Sequence, residues 1–426
     1  MRFNLTVIAI AFSFSPANAQ WTIQMDELFD HLGDSSALEL SFGNWEQKTL
    51  SNASLANWYG HDPITSNETA FVFNETTQDL INLRFHRRKW QFGFATTNYN
   101  FNERRLDPSL FNSLYLYEPQ GSGTYSYSSF STLKHSFTLG RSLGNFVDLA
   151  FILNGHQLNS LSNLSYSGGI NQTPTELTAD FSGAYYSFNS NFTDTTRGIA
   201  TLPQAITDVD SGHYSVYRYA TLNPSFGFYA KLHLGNKIAI SIFGNHLGNA
   251  PTITAAKEDN SYRLILNTAL IETADLLNTS MSPIITPSGN YTYQEMRSKK
   301  RDTTFTRAFQ PPVLGADLSF QMTNNLDLSL STSLTRYHYF ENYRHSVIIK
   351  KKFDKNYLLT GIMLENISSL NSYFSVLFGA RFEVAPRLSV SCYSNTATNF
   401  IYLNQTMAPK SIARMQFNIG AEITLP

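Results

Sequence analysis

The last segment of the chain alternates strictly between apolar and polar residues. Six apolar residues from Met415 to Leu425 occupy every second position, with mostly polar residues between them. A period of two places the apolar set on one face of a β-strand and the polar set on the other. The segment therefore predicts an amphipathic strand whose two faces meet different environments.

The same alternation returns along most of the chain, for example where Ile238, Ile240 and Ile242 alternate with Ala239 and Ser241. Comparable stretches with a helical period of 3.6 are not found. The alternating runs predict fourteen strands, at 36–43, 78–86, 89–97, 131–140, 144–154, 224–234, 237–246, 313–322, 325–335, 343–353, 357–366, 371–382, 386–396 and 413–424. The chain is therefore predicted to be all-β.

The connections between these runs come in two kinds. Very short ones join pairs of runs as hairpin turns do, whereas the polar segments 98–130, 155–223 and 247–312 are long. Tight turns at one end and long loops at the other are typical of a transmembrane β-barrel. Runs of about ten residues fit a tilted membrane strand. The predicted fold class is a transmembrane antiparallel β-barrel of about 14 strands with a short N-terminal helical segment.

A soluble β-sandwich or surface lectin is the structural alternative, because it would also alternate, with its apolar face turned inward. The polar faces carry charges near strand centres, such as Lys231, Asp317 and Glu365. A water-filled lumen permits such charges. Aromatic residues make up 14% of the chain, which suits the aromatic girdles of membrane barrels. These features favour the barrel.

The N-terminus is predicted to be a secretory signal peptide over residues 1–19, with a basic start, a short apolar run and small residues at Ala17 and Ala19. Residues 20–35 contain apolar positions at roughly helical spacing, which predicts a plug or periplasmic segment. An ordered lead-in to the first strand is the alternative. Residues 36–426 form the predicted outer-membrane barrel.

This arrangement resembles the outer-membrane β-barrels of Gram-negative bacteria, of the Bacteroidota type. In architecture the chain is similar to the long-chain fatty acid and aromatic hydrocarbon transporter family, and also to fourteen-stranded barrels of Bacteroidota secretion machinery. The resemblance to the transporter family implies an outer-membrane location, transport and an N-terminal plug. The transporter family's Asn-Pro-Ala motif is not found, and the similarly placed Leu55-Ala56-Asn57-Trp58 does not match it, so no ligand residue is carried over.

Composition narrows the function further. The 31 Lys and Arg residues nearly balance the 32 Asp and Glu residues, which gives no electrostatic basis for binding nucleic acid. The single cysteine excludes a disulfide framework and a cysteine-based metal cluster.

Motifs for catalysis and cofactors are not found in the sequence. It has no Gly-x-Ser-x-Gly elbow, no phosphate-binding loop and no His-Glu-x-x-His pair. Asp208–Gly212 is similar to the start of a calcium loop, but its glycine falls one position early and the required Glu is missing. We therefore predict an Asx turn there, no enzyme activity, no catalytic residue, no metal and no cofactor.

If the apolar faces meet lipid, the polar faces line a lumen in which both signs of charge occur, with a basic excess. Cross-strand ion pairs that brace the wall are the first interpretation, and selectivity for anionic solutes is the second. The residues predicted to line the lumen are Arg84, Lys134, Asp148, Lys231, His233, Asp317, Arg344, Lys350, Glu365, Arg381, Arg387, Arg414 and Glu422.

The sequence thus predicts an integral outer-membrane channel or transporter for small hydrophobic or anionic solutes. The alternative is a structural or secretion-associated barrel that binds protein partners through loops 155–223 and 247–312. Outer-membrane lipid and lipopolysaccharide are the partners that the location implies.

Overall fold

The chain is seen here in a computed structural model. It describes residues 37–51, 69–87, 89–116, 118–173, 175–189, 193–194, 198–199, 222–248, 252–267, 291–305, 311–337, 340–354, 356–367, 373–395 and 414–425. The predicted signal peptide, the segment 20–35, Leu55–Asn57 and the turn Asp208–Gly212 lie outside the described residues.

Nineteen strands and one helix are described. In chain order they are β1 (Ala37–Ser51), β2 (Ala70–Arg87), β3 (Trp90–Leu106), α1 (Pro108–Leu116), β4 (Gln120–Leu143), β5 (Val147–Gln172), β6 (Glu176–Asn189), β7 (Thr193–Asp194), β8 (Gly198–Ile199), β9 (Leu222–Leu234), β10 (Ile238–Leu247), β11 (Thr252–Asn267), β12 (Tyr291–Phe305), β13 (Val313–Thr323), β14 (Leu326–Arg336), β15 (Glu341–Phe353), β16 (Asn356–Ile367), β17 (Tyr373–Ala385), β18 (Leu388–Ser394) and β19 (Arg414–Leu425).

Fourteen of these strands close into a ring of antiparallel pairs. The ring runs β1 to β5, then β9, β10 and β13 to β19. It is closed by β1 and β19, whose pairing runs from Leu38 opposite Leu425 to Leu50 opposite Arg414. Each of the fourteen predicted strands has its counterpart in this ring. The predicted fold class, a closed barrel of 14 strands, is confirmed.

Two insertions between neighbouring wall strands build an extension at the long-loop end. β5 pairs with β9 as far as Gln157 and with β6 from Ser160 onward. β6 then pairs with β11, and β11 with β12. The C-terminal part of β5 therefore belongs to a four-stranded sheet outside the ring, in the order β5, β6, β11 and β12. The segments 155–223 and 247–312, predicted as loops, contain this sheet, which corrects that prediction.

The segment 98–130, also predicted as a loop, holds the ends of two long wall strands and α1. Helix α1 begins with Pro108, and the Asp107 carboxylate before it accepts hydrogen bonds from Thr69 Oγ1 at 3.3 Å and from the Thr124 backbone N–H at 2.7 Å. Leu110 and Phe111 are fully buried against the wall. No helix in the part of the chain that the structure describes is long and apolar enough to cross a membrane.

The two faces of the wall alternate as predicted. In β10, Ile238, Ile240 and Ile242 are 37, 40 and 51% exposed on the outside, whereas Ala239 and Ser241 are buried on the inside. β9 repeats the pattern with outward aromatic and leucine side chains. The apolar face is therefore the outer one, as a barrel in lipid requires.

The inner face carries more apolar side chains than the alternation predicted. Phe243 packs inside the barrel with Ile152 and Tyr229. Its phenyl group occupies the space beside Gly315, because a Cβ at that position would collide with it. A second inward cluster contains Ile348, Tyr357, Leu359, Leu377 and Tyr393. The inner face that was predicted to be polar thus also carries apolar side chains.

We predict that the outer face tolerates charge far less than the inner face. Ile242→Arg places a cation against hydrocarbon and should lower the free energy of unfolding in lipid vesicles by about 2–4 kcal/mol. Ser329→Gln, on the inner face beside a cavity, is the control and should change it by no more than about 0.5 kcal/mol. A denaturant titration measures both, and equal effects would contradict the assigned faces.

Candidate transport site in the lumen

The connection between β14 and β15 folds into the lumen. Its two described residues are Tyr337 and Phe340, and the Tyr337 backbone N–H donates a hydrogen bond to the Phe340 carbonyl at 2.9 Å. Their rings stack with centroids 4.6 Å apart, and both residues are about 95% buried (5 and 4% exposed). Aromatic side chains from a connection are thus buried inside the barrel.

These two rings reach the opposite wall. β14 stands seven strands from β2 in the ring of fourteen, counted through β3, β4, β5, β9, β10 and β13. The centre of the Phe73 ring of β2 lies 4.9 Å from the centre of the Tyr337 ring and 5.7 Å from that of the Phe340 ring, and both contacts are edge-to-face. The cluster also holds Tyr99, Phe101, Phe130, Leu158 and Leu161. We call this set the aromatic constriction, because it crosses the lumen.

A buried charge pair fixes the constriction in place. Lys48 Nζ donates a hydrogen bond to the Tyr337 hydroxyl, which donates in turn to Glu75 Oε2 at 3.0 Å. The Lys48 ammonium lies 3.8 Å from the Glu75 carboxylate and 4.7 Å from the centre of the Tyr337 ring. A buried ammonium needs such partners. These three residues, Lys48, Glu75 and Tyr337, form a latch between the connection and the opposite wall.

An ion pair braces the wall next to the connection. Arg344 on β15 and Glu365 on β16 lie opposite each other in register, and Arg344 Nη2 is 2.7 Å from Glu365 Oε1, with both side chains at least 97% buried. The Asn342 side chain donates a further bond to Glu365 at 3.1 Å. Arg344 and Glu365 therefore form a buried cross-strand ion pair.

A network of polar side chains, including one histidine, lines the inner face of β4, β5, β9 and β10. The Asn154 amide donates to Asn245 Oδ1 at 3.0 Å and accepts from the Ser136 hydroxyl at 2.7 Å. His156 Nε2 lies 2.8 Å from the Ser225 hydroxyl. The prediction missed these residues, although Asn154 and His156 continue the inward positions that begin at Asp148.

A cavity of about 240 Å³ lies at the short-turn end of the lumen. Its acidic groups include Asp317 and Asp327, and Asp327 lies 3.0 Å from Lys352. Its basic residues are Lys231, His233, Lys237, Lys350 and Lys352. The lining is therefore basic on balance.

The structure brings most of the predicted lumen residues to the inner face. Arg84, Lys134, His233, Lys350, Arg381 and Glu422 are partly buried there, and Asp148, Lys231, Asp317, Arg344 and Glu365 are buried. Asp148 pairs with His233, and Arg381 with Glu422, each at 2.7 Å.

Arg387 and Arg414 are the two predicted lumen residues that the structure does not place on the inner face. Arg387 lies in the exposed turn between β17 and β18, with a φ of 71°, so it is not in the lumen. Its position at a turn breaks the alternation on which the prediction relied. For Arg414 only the backbone, at the start of β19, is described.

Comparisons with known proteins find similarity among solved structures only. No family model and no curated protein matches the chain. Similar solved structures include a mutant of the TodX monoaromatic hydrocarbon channel (8% identity, 97% of this chain and 95% of that chain, TM-score 0.46), a Pseudomonas aeruginosa FadL homologue (11%, 92% and 90%, 0.43) and the Ralstonia pickettii toluene transporter TbuX (8%, 92% and 89%, 0.42). Because these TM-scores are below 0.5, the fold assignment rests on the strand pairings of this chain.

We predict that removing the two inward rings opens the lumen. Tyr337→Ala combined with Phe340→Ala should raise single-channel conductance in planar bilayers severalfold, because the side chains that cross the lumen are gone. Tyr343→Ala is the control, since Tyr343 is 41% exposed on the outer face of β15, and its conductance should equal that of the wild type. An unchanged conductance in the double variant would show that the constriction does not limit flow.

We predict that the buried ion pair is needed for stability. Arg344→Gln leaves the Glu365 carboxylate buried without its cation and should lower the free energy of unfolding by about 3–5 kcal/mol. Arg263→Gln is the control, because Arg263 and Asp180 form an exposed pair at 3.5 Å, and it should cost no more than about 1 kcal/mol. Replacing Arg344 and Glu365 together by Met should restore most of the loss. Equal losses in the two single variants would count against this role.

Proposed function

We propose that this protein is a channel of the outer membrane of a Gram-negative bacterium, and that it carries small solutes with an apolar body and an anionic group. Aromatic carboxylates are the simplest members of this class. The observation that carries the proposal is the aromatic constriction inside a closed, polar-lined barrel.

The constriction supports the choice of an apolar body. A solute in the lumen meets the rings of Phe73, Tyr337 and Phe340, and aromatic contacts of this kind favour flat, apolar groups. A fully hydrated ion finds no polar replacement for its water on these rings. The route therefore selects solutes that can exchange water for ring contacts.

The cavity beyond the constriction supports the anionic group. Lys231 is 92% buried (8% exposed) on its wall, and Lys350 lies over the Tyr357 ring with the ammonium 4.2 Å from the ring centre. Cations in a partly buried site attract an anion more strongly than they would in bulk water. The basic excess therefore lies between the constriction and the short-turn opening.

A barrel that binds protein partners is the second candidate. The extension β6, β11 and β12 favours it, because this sheet lies outside the ring and carries Met296 at 72% exposure. The extension is compatible with transport as well. A solute flux measurement separates the two functions.

We predict that benzoate enters proteoliposomes containing the protein faster than benzylamine, which has similar size and opposite charge. Lys231→Gln combined with Lys350→Gln should slow benzoate severalfold and leave benzyl alcohol unchanged, since only the attraction for charge is lost. Lys257→Gln, on the extension, is the control for a lysine outside the lumen. Equal rates for benzoate and benzylamine would refute anion preference, and no flux of any solute would refute the channel.

A further inference from the structure

A row of cations and one indole crosses the outer face at the short-turn end. Arg87, Trp90 and Arg141 lie directly opposite one another in the register of β2, β3 and β4. Residues opposite each other point to the same face, and all three are exposed there, Trp90 to 39%. The row spans two strand spacings, about 10 Å. We call it the outer cation row.

The row has a defined geometry. The Arg141 guanidinium carbon lies 4.6 Å from the centre of the Trp90 ring, and Trp90 stacks on Phe92 with planes 19° apart. A guanidinium stacked on an indole keeps its N–H edges directed away from the ring. The turn between β2 and β3 is held against β4, because the Ser142 backbone N–H donates a hydrogen bond to the Lys89 carbonyl at 2.9 Å.

The row carries charge that the described chain does not neutralise. Lys89, exposed in the adjacent turn, adds a third cation. No ion pair joins Arg87, Lys89 or Arg141 to a carboxylate among the described residues. At the same end Lys352 pairs with Asp327, whereas Lys237 and Lys351, like these three residues, have no ion pair among the described residues. Three cations without a carboxylate partner among the described residues therefore lie close together on β2, on β4 and in the turn between β2 and β3.

Apolar side chains border the row on the membrane side. Phe85, Phe92, Leu139 and Phe151 form the neighbouring outward row across β2, β3, β4 and β5, and they are 38 to 52% exposed. Lipid headgroups meet acyl chains at such a boundary, where tryptophan is also enriched. A ligand that fits both rows has an anionic head and apolar chains.

We propose that Arg87, Trp90 and Arg141 bind the phosphate group of an anionic phospholipid in the leaflet at the short-turn side. The two guanidinium groups donate to phosphate oxygens, for which their forked geometry is suited. The acyl chains lie along the apolar row. This site is on the outer face and does not depend on what passes through the lumen.

Native mass spectrometry in a neutral detergent tests the proposal. Wild-type protein titrated with phosphatidylglycerol should retain it, and should retain phosphatidylcholine much more weakly. Arg87→Gln combined with Arg141→Gln should bind phosphatidylglycerol about 25-fold more weakly, from about fivefold for each removed charge. Lys351→Gln, which removes an exposed lysine at the short-turn end of β15, is the matched control and should bind as the wild type does.

Each variant is first checked for heat-dependent gel mobility, which reports a folded barrel. If the glutamine double variant does not fold, Arg87→Lys combined with Arg141→Lys keeps the charge, loses the forked donors and should bind severalfold more weakly. Equal retention of the two lipids, or unchanged phosphatidylglycerol binding in the folded double variant, would overturn the proposal. Glycerol 3-phosphate retained as strongly as the lipid would reveal a site for free phosphate and would overturn it too.

Discussion

The constraint on which the whole structure depends is that hydrocarbon offers no hydrogen bonds to a peptide backbone. A sheet inside a membrane must therefore pair every strand on both sides, and this chain does so by joining β1 to β19, which are separated by almost the full sequence. Once the ring is closed, the outer face has to be apolar and the inner face can be polar. The alternation of side chains along each wall strand is the direct consequence.

Closure also determines where charges can be buried. A ring of fourteen strands encloses space that side chains, water or solutes must fill, and residues far apart in sequence meet across it. Lys48 and Tyr337 are 289 positions apart and share a hydrogen bond. In this chain the filling is uneven, because aromatic rings cross the lumen near the long-loop end and a cavity with a basic excess lies near the short turns. The lumen is therefore aromatic near the long loops and basic near the short turns.

The sequence predicted the wall well because lipid imposes a simple rule on it. All fourteen wall strands follow from alternation, and isoleucines such as Ile240 point outward as expected. β11 and β12 were missed because strands outside the membrane meet water on both faces and need not alternate. Ile348 was missed as an inward residue because Val347 and Ile349 beside it are also apolar. The latch could not be predicted, since no local pattern shows that a connection after β14 contacts strands β1 and β2 on the far wall.

Closure of the ring is the central claim, and amide hydrogen exchange of β1 and β19 in lipid vesicles tests it most directly. In a closed barrel, the backbone from Leu38 to Ser41 and from Ala421 to Ile423 pairs with a neighbouring strand on each side. The exchange of these amides should be as slow as that of β14 and β15, which lie far around the ring. Rapid exchange of every second amide along β1 and β19 would show an open edge and would contradict the barrel.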